Sequence, residues 1–244
     1  AQVETDARTA RKAEAKAKSE AEQAEQRLAE LRDAPVGELR IAAPVGLPGK
    51  LLSEALAPLL RAHPGLSLRL FFHDEMIDLI ERRIDLAIGA PNVLPQGADL
   101  SYLPMGEVYW DFVISPQHPL ARSHSPLDSR ELAAFPAISV MDTAMGLSKK
   151  EAWLVKGQKV IYAPDTAAKL QFLIAGVGIG FMPRHLCAYA VRKGQLLQRP
   201  VVDPKPPTPI MAAWQTRNQG KVLAYAISRL EDPDFCRHWL QETC

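Results

Sequence analysis

The stretch "LIAGVGIGFMP" (residues 173–183) places three glycines within five positions of an apolar run. A phosphate-binding loop requires the order strand, glycine turn, helix, so that the N–H groups at the helix start face the phosphate. The order here is reversed: an Asp-Thr pair typical of a helix start (165–166) is followed by apolar residues at helical spacing, and then by the glycines. We therefore interpret Gly176 as the end of a helix, and Gly178 and Gly180 as sites of close backbone approach where a strand begins. Nucleotide binding is not predicted.

On both sides of this run, strand-like and helix-like patterns alternate. Strands are predicted from short apolar or alternating segments at 38–43, 66–72, 84–90, 108–115, 137–140, 159–163, 178–183 and 210–214. Helical spacing of apolar residues predicts helices that include 51–60, 77–84, 128–134, 165–175 and about 218–230. Parallel strands need crossover connections, so this order predicts two α/β lobes, each with a parallel sheet and helices on both of its faces.

The N-terminal segment 1–33 contains no Gly or Pro and is rich in Ala, Glu, Lys, Arg and Gln, which predicts one long helix. Its apolar residues recur in steps of four and three at Ala17, Ala21, Ala24, Leu28 and Leu31. This heptad spacing favours pairing with a second helix, although a single solvated helix is the alternative. "DAPVG" (33–37) then ends the helix and marks a domain boundary.

Composition narrows the class of function. The 244 residues carry 29 basic and 28 acidic side chains, a net charge of +1, which predicts at most weak DNA binding by this chain. The sequence shows no signal-peptide pattern and no apolar run long enough to span a membrane. Three widely spaced cysteines favour free thiols in a reducing compartment, so we expect a cytoplasmic protein. The absence of an initial methionine suggests that a further segment precedes Ala1.

No catalytic or metal-binding pattern is present. The histidines and cysteines form no metal-ligand spacing, no nucleophile elbow occurs, and no cofactor is expected. Cys187 is interpreted as a small core residue rather than a nucleophile. What remains are three polar or Gly-Pro-rich loops after strands, at 43–49, 142–146 and 164–166. Ligands of α/β sheets bind at such positions, although each loop is equally consistent with ordinary helix capping.

Several segments, taken in order, resemble the LysR-type transcriptional regulators: the Ala-rich helix, "GELRIAA", "HPG", "RRIDLAIG", "DFVISPQHPLA", "AGVGIGFMP" and "AAWQ". The resemblance covers essentially all of residues 1–230. It implies a periplasmic-binding-protein-like effector domain of two α/β subdomains, preceded by a long N-terminal helix. The subdomains would be 38–115 plus 210–232, and 116–209, with 1–33 as the linker and dimerisation helix. The family's winged helix-turn-helix would precede that helix and lie outside this chain.

In the family, a small-molecule inducer binds between the subdomains. Carried onto this sequence, the resemblance implies ligand-binding roles for Pro44, Val45, Gly46, Leu47, Leu51, His73, Ala90, Thr143, Ala144, Met145, Asp165 and Thr166. Family members often place Ser or Thr in the first loop, whereas this chain has Pro-Val-Gly-Leu-Pro. The effector is therefore expected to have an aromatic or aliphatic body and to be a carboxylate, recognised on this side by backbone N–H groups. His73 is expected either to face the cleft and donate to the ligand or to be an exposed loop histidine.

Three functions are compared on these grounds. The first is the sensor portion of a transcription regulator, acting as a homodimer or homotetramer without contact with membranes. The second is a solute-binding protein of a transport system, which shares the fold but is disfavoured by the absence of a signal-peptide pattern and by the heptad helix. The third is a small α/β enzyme, disfavoured because no catalytic group of residues is recognised.

Overall fold

The computed structural model describes residues 37–47, 49–72, 79, 83–123, 126–140, 154–218, 220–232 and 236. The strands are β1 (Gly37–Ala43), β2 (Leu66–Phe72), β3 (Leu86–Gly89), β4 (Leu100–Val108), β5 (Trp110–Ile114), β6 (Ala137–Val140), β7 (Val160–Ala163), β8 (Gly180–Pro183), β9 (Leu197–Gln198) and β10 (Thr208–Gln215). The helices are α1 (Gly49–Ala62), α2 (Ser129–Ala133), α3 (Thr166–Ile174), α4 (Arg184–Arg192) and α5 (Lys221–Leu230), with a short 3-10 helix at Pro119–Arg122. The predicted long helix at 1–33 and most of the predicted helix at 77–84 lie outside the described residues.

The first subdomain is built on a five-stranded sheet in the order β2-β1-β3-β10-β4. Strand β1 pairs in parallel with β2 and β3, whereas β10 runs antiparallel to β3 and β4. Alternate residues of β1 point to opposite faces: Leu39 and Ile41 join a core with α1 and α5, and Ala42 joins a smaller core on the other face. Burial on both faces explains why the central strands are almost continuously apolar in sequence.

The second subdomain contains the three-stranded order β8-β5-β9 and the parallel pair β6-β7. An isolated bridge between Ala137 and Ile179 connects β6 to the start of β8. Helices α3 and α4 supply Leu173 and Cys187 to the core on one face of these strands. The other face is covered by a second apolar cluster that includes Phe112 and Leu127.

The strands assign residues to subdomains differently from the sequence prediction of 38–115 plus 210–232, and 116–209. Strand β5 was predicted within the first subdomain, but it pairs with β8 and β9 of the second. The chain therefore crosses between sheets at Tyr109, and it returns before β10 at Thr208. Strand β4, which was not predicted, forms the edge of the first sheet beside β10. Because β4 completes that sheet, the next strand, β5, is free to join the second one.

The glycine run has the structure expected of a helix end and a strand start. Gly176 has φ +74°, and its N–H donates to the carbonyl of Leu173 at 3.0 Å, while the N–H of Val177 donates to Phe172 at 3.4 Å. These two bonds are the Schellman arrangement that closes a helix. At Gly178 an added Cβ would lie 2.6 Å from the carbonyl oxygen of Pro136. The prediction that this run is a packing element is confirmed.

Candidate functional site

A cavity of about 460 Å³ lies between the two subdomains. From the first it is lined by Pro44, Gly46, Leu47, Ala90, Asn92, Val93, Val108, Thr208 and Ile210; from the second by Trp110, Ser139, Val140, Thr166, Lys169, Phe181 and Pro183; and from the returning segment by Lys205. The carboxyl ends of β1, β3 and β6 all open into it. Its size is within the range of small-molecule sites, and its place beyond the strand ends is where α/β sheets bind ligands.

The loop after β1 forms one wall of the cavity. Its turn is closed by the N–H of Leu47, which donates to the carbonyl of Pro44 at 2.9 Å. The carbonyl oxygen of Gly46 accepts a hydrogen bond from Nε2 of His185 at 3.1 Å. Since His185 lies on α4, this bond joins the cavity-lining loop of the first subdomain to the second subdomain.

The start of α3 forms the opposite wall. Asp165 is its N-cap, and one carboxylate oxygen accepts from the N–H of Ala168 at 2.7 Å. Thr166 follows as the first helical residue, and Lys169 lies one turn further along, with both side chains at the cavity. The cap therefore orients the helix, while Thr166 and Lys169 line the cavity.

The predicted site residues divide into three groups. Those that line the cavity are Pro44, Gly46, Leu47, Ala90 and Thr166. Those that the structure describes but that do not line it are Val45, Leu51 and Asp165. Those that lie outside the described residues are His73, Thr143, Ala144 and Met145.

Leu51 is completely buried, with 0% of its side chain exposed. It packs in the core between α1 and the first sheet, because it belongs to the apolar face of an amphipathic helix. The expectation of ligand contact at Leu51 followed from alignment with the family and not from helical periodicity, which predicted its burial.

Apart from Thr166, sequence reasoning missed the cavity residues of the second subdomain and of the returning segment, and in the first subdomain it missed Asn92, Val93, Val108, Thr208 and Ile210. Lys169 carries one recognisable signal: it lies in the first turns of α3, where the helix dipole disfavours a cation. Lys205 lies within "DPKPPTP" (203–209), a segment interpreted only as a connection. Trp110 was predicted in a strand, without a functional role.

Two lysines, Lys169 and Lys205, are the ionisable side chains among the described residues of the cavity wall. Burial lowers the pKa of Lys169 to about 8. Burial, together with the charge of Lys169, lowers the pKa of Lys205 to about 7. The ammonium group of Lys205 lies 3.2 Å from the centre of the Trp110 ring, and the indole Nε1–H donates to Thr208 Oγ1 at 2.9 Å. No Asp or Glu is among the described residues that line the cavity.

Other chemistry finds little support in the described part of the chain. No group of three His, Cys, Asp or Glu side chains there is arranged to hold a metal ion. Burial raises the pKa of the Cys187 thiol to about 12, which opposes formation of a thiolate. Within the same residues, every helix is too short or too polar to cross a membrane.

Comparison with known proteins adds independent information. A family model described as "LysR substrate binding domain" matches residues 32–230. The HTH-type transcriptional activator AllS of Salmonella paratyphi A is 39% identical over 145 residues, which are 59% of this chain and 47% of that protein. The match thus spans about half the length of this curated relative.

Two solved structures show the same fold. The regulatory domain of MetR, a LysR family regulator from Neisseria meningitidis, superimposes with a TM-score of 0.65 at 20% identity, covering 84% of this chain and 96% of that domain. The effector binding domain of QuiR in complex with shikimate has a TM-score of 0.60 at 17% identity, covering 86% and 100%.

The family match covers both subdomains, the cavity between them and the glycine run. The family consists of transcriptional regulators and is not a class of enzymes. The curated relatives that this chain matches are named as transcriptional activators and regulators, and this favours a regulator over a solute-binding protein of transport. The chain therefore belongs to the LysR substrate binding domain family, and its fold is the periplasmic-binding-protein-like effector domain of that family.

Proposed function

We propose that this chain is the effector-sensing portion of a LysR-type transcriptional regulator, and that its effector binds in the cavity between the subdomains. The observation that carries the proposal is the cavity itself, lined from both subdomains in a chain of this family. Support also comes from QuiR, a protein of the same fold whose effector binding domain was solved with shikimate.

The mechanism follows from the position of the cavity. A ligand that contacts both walls stabilises the arrangement of subdomains in which both walls are within reach, and it shifts the population only by its difference in affinity. The His185–Gly46 hydrogen bond joins the same two subdomains. We expect it to persist while the subdomains keep this arrangement and to break if they move apart. We propose that residues 1–33 pair two subunits and transmit the change to a winged helix-turn-helix domain.

The proposed contacts on the first wall are Pro44, Gly46, Leu47 and Ala90, with Thr166 opposite. Because the first wall is apolar apart from its backbone, it suits the body of an aromatic or aliphatic carboxylate. Contacts from Val45, His73, Thr143, Ala144, Met145 and the Asp165 carboxylate remain part of the proposal. The strand before residues 143–145 ends in Ser139 and Val140, which line the cavity.

The remaining parts of the proposal concern the whole protein. It acts in the cytoplasm as a homodimer or homotetramer, reaches DNA through its winged helix-turn-helix domain, and catalyses no reaction. These statements are supported by family membership and by the heptad spacing in residues 1–33.

A ligand screen followed by a cavity-filling variant tests the effector site. A compound that raises the unfolding temperature of the chain by mass action is the starting point, since about a hundredfold excess over Kd contributes about 2.7 kcal/mol. Ala90→Phe places a ring in the cavity, whereas Ala133→Phe places the same ring on the exposed surface of α2. We expect Ala90→Phe to abolish binding and Ala133→Phe to retain it. Equal binding by both variants would contradict the proposed site.

The regulatory part is tested with the full-length regulator. The same compound is expected to change the footprint or affinity on promoter DNA, and Ala90→Phe is expected to remove that response. Deletion of residues 1–33 from this chain is expected to lower its oligomeric state in light scattering. An unchanged oligomeric state would contradict the proposed pairing role of that segment. It would then favour the alternative function, a solute-binding protein of a transport system.

A further inference from the structure

The chain crosses between the two subdomains twice, and one side chain connects the two crossings. The chain leaves the first sheet at Tyr109, between β4 and β5, and the returning segment ends where β10 begins at Thr208. Trp110, the first residue of β5, donates its indole Nε1–H to Thr208 Oγ1 at 2.9 Å, across 98 positions of sequence. An indole N–H that is partly removed from water needs an acceptor, so this bond ties the first crossing to the second.

The returning segment also contacts the face of the same ring. The ammonium group of Lys205, three residues before Thr208, lies 3.2 Å from the centre of the Trp110 ring. A cation in this position is attracted by the negative face of the indole. The returning segment therefore holds Trp110 both at the edge of its ring and on its face.

The packing of Trp110 involves both subdomains. Its backbone pairs with Pro183 of β8, in the second subdomain. Its side chain packs against the main core of the first subdomain, which includes Ile210, and against the cluster of the second subdomain that includes Phe112. Because cores are closely packed, a ring that contacts both of them limits how far the subdomains can turn relative to each other.

The residues on either side of this tryptophan connect the first crossing to α4. The Asp111 carboxylate accepts hydrogen bonds from Arg184, with Nη2 at 2.9 Å and Nε at 3.1 Å. The carbonyl of Tyr109 accepts from the backbone N–H of Arg184 at 2.8 Å. The next residue of α4, His185, forms the hydrogen bond to Gly46 of the first subdomain. A displacement of the start of β5 is therefore expected to disturb that contact as well.

The same residues lie at the ligand cavity. Trp110, Lys205 and Thr208 all line it, together with residues of both subdomains. A molecule bound in the cavity can therefore contact the junction itself, and it needs no intermediate element to act on the two crossings.

We propose that Trp110, Thr208 and Lys205 form a clamp that joins the two crossings and fixes the relative arrangement of the subdomains in the ligand-free chain. Trp110 is the positioning residue of this clamp, since its ring contacts both cores and its N–H keeps its acceptor only while the crossings stay adjacent. The clamp does not depend on the identity of a ligand. Its role in regulation, as the arrangement that an effector must alter, rests on the proposed function.

The experiment measures the distance between the subdomains by double electron–electron resonance. Spin labels are attached at Arg61→Cys on α1 and at Gln171→Cys on α3, two exposed positions in different subdomains. Cys244 is replaced by Ser, while Cys187 and Cys236 are buried and therefore protected from labelling. The chain is measured without added ligand, so the result does not require a known effector.

Two substitutions open the clamp in different ways. Thr208→Val keeps a side chain of similar shape but removes the acceptor, and Trp110→Phe keeps an aromatic ring but removes the N–H. We expect each to broaden the distance distribution or shift its centre by at least about 2 Å, the scale that separates a domain rearrangement from local side-chain adjustment. Thr208→Ser retains a hydroxyl and is expected to keep the parent distribution.

The matched control is Thr216→Val. It removes a hydroxyl–hydroxyl hydrogen bond of the same length, 2.9 Å to Ser101, that lies entirely within the first subdomain, and it should leave the distribution unchanged. Parent-like distributions in both Thr208→Val and Trp110→Phe would overturn the proposal. An equal change in Thr208→Ser, or in the control, would overturn it too, because the hydrogen bond across the junction would not be the cause. If Trp110→Phe does not fold, the three threonine variants decide the outcome.

The regulatory role is tested separately with the full-length regulator. If DNA binding responds to the arrangement of the subdomains, Thr208→Val should change the affinity or footprint on promoter DNA without added ligand, whereas Thr216→Val should not. A changed distance distribution with unchanged DNA binding would support the clamp and contradict the sensing role. Parent-like distances in both clamp variants would contradict the clamp and leave the proposed effector site unaffected.

Discussion

Gly178→Ala tests whether the glycine run is a packing element. The added Cβ would meet the backbone carbonyl oxygen of Pro136 and Cδ1 of Ile138, both at 2.6 Å. Ordinary contacts between such atoms are 3.5–4.0 Å, so the backbone must separate by roughly 1 Å. Ile138 is itself only 1% exposed, and its side chain has little free space into which to move.

The cost follows from the hydrogen bonds that hold these segments together. The N–H of Ile138 donates to Ile179 at 2.8 Å, and the N–H of Ile179 donates to Pro136 at 2.9 Å. Weakening two such bonds costs about 1–3 kcal/mol, and overpacking in a core costs about 1–3 kcal/mol. Because separation of the backbone relieves part of the overpacking, we expect the free energy of unfolding to fall by about 2–4 kcal/mol.

The assay is urea unfolding of the chain followed by tryptophan fluorescence. The matched control is Gly49→Ala at the start of α1, where an added Cβ meets nothing within 4 Å and φ is not positive. That substitution should be neutral or stabilise by up to about 1 kcal/mol. A loss below about 0.5 kcal/mol for Gly178→Ala, within the range of an ordinary surface change, would show that the close approach does not constrain this position.

Three further predictions concern α3, the core thiol and the cavity lysines. Asp165→Ala removes the side-chain cap at Ala168 and should lower the free energy of unfolding by about 0.5–2 kcal/mol, while Asp165→Ser restores most of it; equal stability of all three proteins would exclude capping. The Cys187 thiol is buried and its pKa is raised to about 12, so it should react with iodoacetamide only in denaturant. Rapid labelling of Cys187 itself in the folded chain at neutral pH would contradict its assignment to the core. Lys169 and Lys205 have pKa values below those of an unfolded chain, so the unfolded state binds more protons and the ligand-free protein should gain stability as pH rises above about 7 towards about 10. Unfolding curves of the double Lys→Met variant should lack this gain, and an identical pH profile in both proteins would argue against desolvation of these groups.

Local patterns are sufficient to predict much of this fold. The apolar spacing in α1 identifies its buried face, and the prediction of a strand at 66–72 coincides with β2. The roles of Gly176 and Gly178 also follow from their place between a helix and a strand. These features are readable because each depends on residues within one or two turns of the chain, whose side-chain periodicity reports the buried face directly.

Elements that depart from regular patterns are not readable in this way. Strand β4 contains Pro104 and Gly106, the latter with φ +127°, and its register with β10 shifts between Ile210 and Met211. A proline and a glycine interrupt the alternation that predicts a strand. The bounds implied by the family resemblance placed the following strand, β5, in the first subdomain, whereas β5 pairs with β8 and β9 of the second.

The candidate site shows the same division. The loop at Pro44–Leu47 and the helix start at Thr166 are predictable, because loops after strands and N-termini of helices are where ligands bind in this type of sheet. The lysine pair is not, since Lys169 and Lys205 belong to elements far apart in the chain and neither has a local pattern of function. Only the tertiary packing of α3 and of the returning segment, in which Lys205 lies over the Trp110 ring, brings the two lysines to one cavity and removes them from water. Local sequence thus specifies which faces are buried, whereas the distances and the desolvation that define this chemistry arise from how the two subdomains meet.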